Sequence, residues 1–553
     1  MRWPARVALS LALVGCGSDV TDPHTPDDPE PPCDVKDVVL ADGSCLSPGV
    51  PADGCGVGFV HDGDRGCSPV LPETPCPEGW LAVPGDPTCR QHPCGEGTWG
   101  DVVTGPDTQH VDGTYPGSDS DGTATKPWTT VQHAVDAATP GAVVAVAAGS
   151  YEGDVELIGK PVTLWGRCPS MVELVGVGVE PATVMIREGA DGAVVRGLAL
   201  RGSSRALGLS GSQNVRYEQL WIHDAVRGLE ANDTIGPASF EMTDVLVENV
   251  VGIGLLLSST DGRLTGVAVR DVLVSDADAG VGRGLSLQRS PNGGATATVE
   301  VIGSLVRRTR SVAVRAEGVS LSIEDSVILD TVPQSGLGIG VEAESDEGLP
   351  TTLSLARSLV SGCTDVGVLV DGSSARIEAT VVRGTRPSPG TLAFGRGVNA
   401  QYDLDGASAT LDMVDSLVED NHDLGVVISG STAAILTTAV RGTLARASDM
   451  LFGDNVVVAD GDGATNIFAS MTVDRCLVTD GARAGLASFG AELSVGSTRL
   501  SCHDFDLTAD DYAGSDGTVT DAGDNLCGCP TPESACQIAT VGLQPPGSPL
   551  PPD

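Results

Sequence analysis

The sequence predicts an all-β protein, a right-handed parallel β-helix in which short strands wind into a solenoid. Three observations carry this expectation. Short apolar strands, each followed by a polar turn, recur at a regular spacing along most of the chain. At 553 residues the chain is too long for one ordinary globular core, and a repeat protein escapes that limit because each repeat packs only on its neighbours. Gly is abundant, at 72 residues, and aromatics are scarce, at 3%, so the interior must be built from many small aliphatic side chains.

The repeat is legible in quartets such as Asp244-Val245-Leu246-Val247, Asp325-Ser326-Val327-Ile328, Arg357-Ser358-Leu359-Val360, Asp415-Ser416-Leu417-Val418 and Arg475-Cys476-Leu477-Val478. With positions 220, 246, 273, 305, 327, 359, 381, 417, 440, 477 and 500 as markers, the spacings after 273 alternate long and short: 32, 22, 32, 22, 36, 23, 37, 23. The true unit is therefore a pair of coils. A coil of about 22 residues suits three short strands and three turns, and each coil advances the stack by about 4.8 Å. Alternation with polar neighbours places Leu305, Val327, Leu359, Val381, Leu417, Val440, Leu477 and Leu500 inside as stacked ladders. The extra residues of the long coils fall at one phase, around Pro291-Asn292-Gly293-Gly294, Asp346-Glu347-Gly348, Asp403-Leu404-Asp405-Gly406 and Asp460-Gly461-Asp462-Gly463. These are turn sequences, so four longer loops are expected in a row along one edge.

A solenoid needs a plug, since its first coil would otherwise expose apolar side chains. Val131, Ala134, Val135 and Ala138 fall at i, i+3, i+4 and i+7 of a short helix, Thr130 to Ala138, which Pro140-Gly141 stops. Strand-like runs follow at Ala142–Ala147, Val155–Ile158 and Pro161–Trp165. This succession of features resembles the opening of pectate-lyase-like β-helix proteins, in which a capping helix closes the stack. The period is lost after about residue 505, where a C-terminal cap and Pro-rich tail are expected through 553.

Residues 33–100 read as a separate small module. Cys33, Cys45, Cys55, Cys67, Cys76, Cys89 and Cys94 crowd a Gly/Pro-rich stretch that cannot hold itself by burial, so disulfides are the expected staples of an exported protein. Seven is odd, so one Cys should reach outward, and Cys168 is nearest. Cys527 and Cys529 are too close for a routine local bridge and should pair with Cys502, Cys536 or Cys476. Connectivity is otherwise open.

The N-terminus has the form of an export signal: Arg2 and Arg6, the apolar run Val7–Val14, then Gly15-Cys16. The run is far too short to span a bilayer. Leu13-Val14-Gly15-Cys16 resembles a bacterial lipobox, which implies removal of residues 1–15 and a lipid on Cys16. Gly17 rather than Asp after the Cys implies the outer membrane by the enteric sorting rule. Residues 16–32 form an acidic, Pro-rich tether, and residues 101–505 the solenoid with its N-terminal cap. The expected location is the outer membrane or cell surface, held through the lipid.

With 74 acidic and 32 basic residues the formal net charge is -42. Only Lys36, Lys126 and Lys160 are lysines; Arg supplies the other 29 positive charges. No basic patch can form the footprint a nucleic acid needs, so nucleic acid is excluded as a partner. The expected partners are the membrane, through the anchor, and surface glycans or envelope proteins.

No residue set compels one chemistry. His223-Asp224, His422-Asp423 and His503-Asp504 each follow a strand, and the first and last are about ten coils, roughly 50 Å, apart, so they cannot share a site. Asp119, Asp121, Asp403, Asp405, Asp460 and Asp462 form three Asp-x-Asp-Gly turns, the best candidates for Ca²⁺, the one cofactor under consideration, since two carboxylates with turn carbonyls begin an oxygen cage. The resemblance to pectate-lyase-like proteins implies a lyase or hydrolase, yet Arg383-Gly384-Thr385-Arg386-Pro387 matches their Arg-rich catalytic segment poorly, and no catalytic residue can be named. The main expectation is a non-enzymatic surface lipoprotein for adhesion, envelope contact or ligand binding. The second is a polysaccharide lyase or glycoside hydrolase. A groove holding Arg or Lys opposite clustered acids would favour the enzyme.

Overall fold

The computed structural model describes residues 33–550 apart from 35, 41, 275–280, 292–293, 295, 334–336, 462–466 and 548–549. The lipobox and tether lie outside the described residues. The chain is a parallel β-helix. Three long sheets of 16, 15 and 16 strands run its length, and in each the hydrogen-bonded neighbours come from successive coils. A typical coil holds a five-residue strand (Thr352–Ala356), a three-residue strand (Leu359–Ser361) and a six-residue strand (Val366–Asp371). The helix Val131–Ala137 buries Val131, Ala134 and Val135 against the first coil, as its apolar stripe predicts. No helix among the described residues is long and apolar enough to cross a membrane.

The two residues between the five- and three-residue strands explain the recurring quartets. The first adopts a left-handed conformation in coil after coil, at Asp325, Arg357, Ala379, Asp415 and Thr437. The second turns a hydroxyl into the stack. Ser326 Oγ accepts the backbone N–H of Ser304, and Ser358 Oγ accepts that of Ser326. Thr380 and Ser416 continue the pattern. Each hydroxyl also donates to the carbonyl two residues before it. A corner whose backbone would otherwise be orphaned in an apolar interior is thereby satisfied.

The three-residue strands correct the expected ladders. Val306, Ile328, Val360, Val382, Val418, Val440, Val478 and Leu500 fill the interior, whereas Leu305, Val327, Leu359, Val381, Leu417 and Leu477 point outward. Of the eight expected inward residues, only Val440 and Leu500 do point in. The reason is physical: each strand offers two adjacent apolar residues, and the polar residue before them belongs to the buried corner. Alternation thus cannot tell inside from outside.

The outward row is nevertheless buried, because the Cys-rich segment lies along it. Val50, Cys67, Leu81 and Val83 cluster with Leu246, Leu305, Val327, Leu359, Val381, Leu417 and Leu477. Bridges Cys33–Cys45, Cys55–Cys67 and Cys76–Cys89 staple the segment, and Cys94–Cys168 ties it to the first coils. A buried ion pair, Arg270–Glu248, adds to the hold. Arg270 also donates to the carbonyls of Cys76 and Pro77, and Glu248 accepts from Gly79 N–H and Trp221 Nε1.

The stack runs past residue 505. Phe505–Asp510, Thr518–Gly523 and Leu526–Cys527 each add a strand to one of the three sheets. Cys502–Cys529 and Cys527–Cys536 close this end, while Cys363 and Cys476 are buried free thiols. The tail then turns back over the outer face of the six-residue strands. Backbone N–H groups of Val541, Gly542 and Leu543 bind Asp510, and Leu550 packs with Val312, Ile339, Val366 and Leu369.

Candidate functional site

The six-residue strands present two outward columns, aligned by the parallel register. One reads Met185, Gly208, Glu230, Leu256, Ser286, Arg315, Glu342, Leu369, Asn399, Val427, Val457. The other reads Arg187, Ser210, Asn232, Ser258, Gln288, Glu317, Glu344, Asp371, Gln401, Ser429, Ala459. The second column is polar for nine strand steps, from Arg187 to Ser429, roughly 43 Å at one strand spacing each. Some neighbours bond to each other: Ser210 Oγ donates to Asn232 Oδ1 at 2.9 Å, and Gln288 Nε2 to Ser258 Oγ at 3.3 Å. Near the start of this face lies a cleft of about 320 Å³ lined by Arg187, Arg205, Glu230, Asn232 and others.

Further along the polar run the charges converge. Arg315 lies 3.2 Å from Glu317 and 3.2 Å from Glu342, and pairs closely with Glu344. The side chain of Glu342 is fully buried. Burial works against the charge of Arg315, and Glu344, Glu342 and Glu317 more than offset it, so its pKa rises. In the next coil Asp371 stands in register with Glu344. Burial first, then the neighbouring Glu344, pushes the Asp371 carboxyl up to about 7, against a hydrogen bond from Gln401. Burial likewise raises Glu317, only partly opposed by Arg315.

The loops that follow the six-residue strands roof this cluster. A cleft of about 290 Å³ is lined by Arg315, Glu317, Glu344, Ser345, Glu347, Asp371, Asp403, Leu404 and Asp405. A second cleft, bounded by Arg289 and Asp346, shares Glu317 and Glu347 with it. The longer loops, two coils apart, touch: Arg289 pairs with Asp346 at 3.1 Å, and Ser345 donates to Asp403. The closeness explains Gly372, at φ +56°, where a Cβ would come within 2.4 Å of the Asp403 carboxylate. On the far side the face is closed, since the Gln401 amide bonds both N–H and C=O of Leu550.

The structure scatters the other residues singled out in the sequence. Asp119 pairs with Lys126 and accepts from Tyr115, and Asp121 caps Thr123. Asp403 caps the N–H groups of Asp405 and Ala407, and Asp460 that of Ala469; Asp462 lies outside the described residues. Only Asp403 and Asp405 reach the cleft. Arg383 pairs with Glu419 and Arg386 with Asp330, away from it. His422 bonds the carbonyl of Thr385 and His503 bonds Asp506. The residues that do converge carry a signal in the sequence. Val314-Arg-Ala-Glu317 and Val341-Glu-Ala-Glu344 share one phase, and stacking them coil on coil places Arg315 among acids.

No protein-family model matches the chain, and no curated protein matches it. Solved structures do. The catalytic domain of a GH87 alpha-1,3-glucanase in complex with nigerose matches at 12% identity over 77% of this chain and 70% of that one, with a TM-score of 0.33. The A-module of the Azotobacter vinelandii mannuronan C-5 epimerase AlgE6 matches at 12% identity over 75% and 95%, with a TM-score of 0.36. Pectate lyase Pel9A matches at 11% identity over 56% and 76%, with a TM-score of 0.34. At these values no residue of theirs is carried onto this chain. The expectation of a non-enzymatic rod is nevertheless corrected. The six-residue face holds an Arg opposite clustered acids, the arrangement that favours the enzyme over the rod.

Proposed function

We propose that the chain is a polysaccharide-acting enzyme of the glycoside-hydrolase type, working in the cleft beside Arg315. The observation that carries this reading is the pair Glu344 and Asp371 on adjacent strands, one ion-paired to Arg315 and the other shifted toward neutrality. A carboxyl raised toward neutrality next to one that is paired with a cation can divide the work of acid and nucleophile with it. Asp371 would donate a proton to the leaving glycosidic oxygen. Glu344 would attack the anomeric carbon as the glycosidic bond breaks, and the Asp371 carboxylate left behind would then take a proton from the water that releases the sugar from Glu344. One strand spacing, about 4.8 Å, is close to the roughly 5 Å that separates the carboxyls of retaining glycosidases. The polar column from Arg187 to Gln288 would bind sugar hydroxyls along the approach. A lyase needs a free base to remove a proton beside a carboxylate, and Arg315, held by three acids, is poorly suited to that.

The test is incubation of the full chain with a panel of neutral and uronate-containing glycans, reading both new reducing ends and the ultraviolet absorbance of unsaturated ends. Reducing ends without unsaturation are expected. Unsaturated products would replace the hydrolase by a lyase, and no product on any glycan would count against the enzyme.

We also propose that the protein is exported and held to a membrane by a lipid on Cys16. The export-like N-terminus supports this, as do six disulfides, which persist in oxidising compartments. Cys16→Ala should move the protein from the membrane to the soluble fraction. A variant that still pellets with membranes and retains residues 1–15 would refute the anchor.

A further inference from the structure

A second constellation lies on a different face, where the Cys-rich segment meets the first coils. His223 is the last residue of the strand Trp221–His223 and points outward, in register with Glu248. Its side chain is only 6% exposed. The ring stacks on Trp221, with centroids 3.9 Å apart and 20° between planes. Nδ1 lies 2.9 Å from Asp224 Oδ2, and the buried Nε2 has no hydrogen-bond partner, with Glu173 Oε1 3.5 Å away. Glu78, from the Cys-rich segment, completes the group. Among the described residues, Glu78, His223 and Asp224 are the one set of three His, Cys, Asp or Glu side chains whose ligand atoms all lie within 4.8 Å of one another.

We propose that Glu78, His223 and Asp224 bind a divalent transition-metal ion of the zinc class, clamping the Cys-rich segment to the solenoid. The donor set is one imidazole nitrogen and two carboxylates, which suits zinc better than the oxygen-only cages of calcium. Three protein ligands leave a fourth position for water. The local charge is suitable: three carboxylates surround a buried ring, and among the described residues only Glu173 of the three pairs with a cation, Arg201 at 3.0 Å. With Nδ1 turned to the metal beside Asp224, Glu173 stands at the other ring nitrogen, Nε2. That is the outer-shell partner that orients a metal-binding His.

The placement gives the ion a structural role. Glu78 sits between the Pro77 carbonyl and the Gly79 N–H, which bond Arg270 and Glu248 of the solenoid. The segment is therefore already docked there, and the ligands are brought together without a further closure. An ion that binds only the docked arrangement stabilises docking by mass action.

The test is titration of the chelator-stripped full chain with Zn²⁺, by equilibrium dialysis with metal analysis, in a background of millimolar Ca²⁺ to saturate general acidic sites. One tightly held Zn²⁺ per chain is expected. His223→Ala should abolish it. Because loss of a buried His also tests folding, the decisive variant is Glu78→Gln with Asp224→Asn, both exposed. It should keep the circular dichroism spectrum and weaken binding by about tenfold or more. In the wild type, Zn²⁺ should slow proteolysis of the segment 33–100, and in the double variant it should not. Absence of a saturable site, or Zn²⁺ binding unchanged in the double variant, would overturn the proposal.

Discussion

Two outer faces of the same solenoid are dressed in opposite ways. The three-residue strands carry an apolar outer row, Leu305 through Leu477, sealed under the Cys-rich segment. The six-residue strands carry Arg315, Glu317, Glu342, Glu344 and Asp371, roofed by their own loops. The interior behind both is one continuous aliphatic cluster. The stacking of coils thus dictates the interior alone. Each exterior is written separately, according to whether the chain itself or something else is to cover it. Polar groups buried under a loop are costly to desolvate, so an acid cluster held there signals use.

The largest expected effect separates inside from outside. Val418 belongs to the interior and its neighbour Leu417 to the covered outer row. Val418→Asp should cost several kcal/mol, with unfolding that begins at its coil and spreads to its neighbours. Leu417→Asp should leave the circular dichroism of the rod in place while freeing segment 33–100 to protease. If both variants melt alike and digest alike, the two faces are not distinct.

A somewhat smaller loss tests the charged face. Arg315→Met removes the cation that Glu342 and Glu344 share. Breaking a buried pair in this way costs about 3–5 kcal/mol, and urea denaturation should show it. A loss below about 1 kcal/mol, the range of surface pairs, would mean that this face is solvated.

The pH dependence sharpens the same contrast. The folded Asp371 carboxyl titrates at about 7, above its ordinary 3.8, so the folded state holds the proton more tightly. The group is at its most favourable below pH 4, and its contribution falls as the pH rises from about 4 to about 7. Asp371→Asn has no such titration. Its stability relative to wild type should therefore improve by up to a few kcal/mol between pH 5 and pH 8. Parallel stability curves for the two proteins would place Asp371 in an ordinary aqueous setting.

Much of the fold could be read from sequence because its causes are local and repeated. Turn residues, hydroxyl corners such as Ser326 and Ser358, and the capping helix each follow from a few neighbouring residues. The facing of Leu417 could not be read, since two adjacent apolar residues satisfy either assignment until the covering segment is known. The site was harder still. Arg315 and Asp371 are 56 residues apart by their numbers, and they meet only when coils of unequal length are stacked in register. Asp403 stands out in the sequence for its turn, and its part in the cleft comes from a neighbour, Ser345, two coils earlier. Nothing in the local sequence of Val366–Asp371 distinguishes Asp371 from the many acids of this chain.

The most direct test of the central claim is the specificity constant of Asp371→Asn on whichever glycan the wild type cleaves. With the fold intact by circular dichroism, kcat/KM should fall by about 10²–10⁴-fold, the usual contribution of a positioned proton donor. An Asp371→Asn protein that cleaves that glycan as fast as the wild type would show that the cleft beside Arg315 is not where the chemistry occurs.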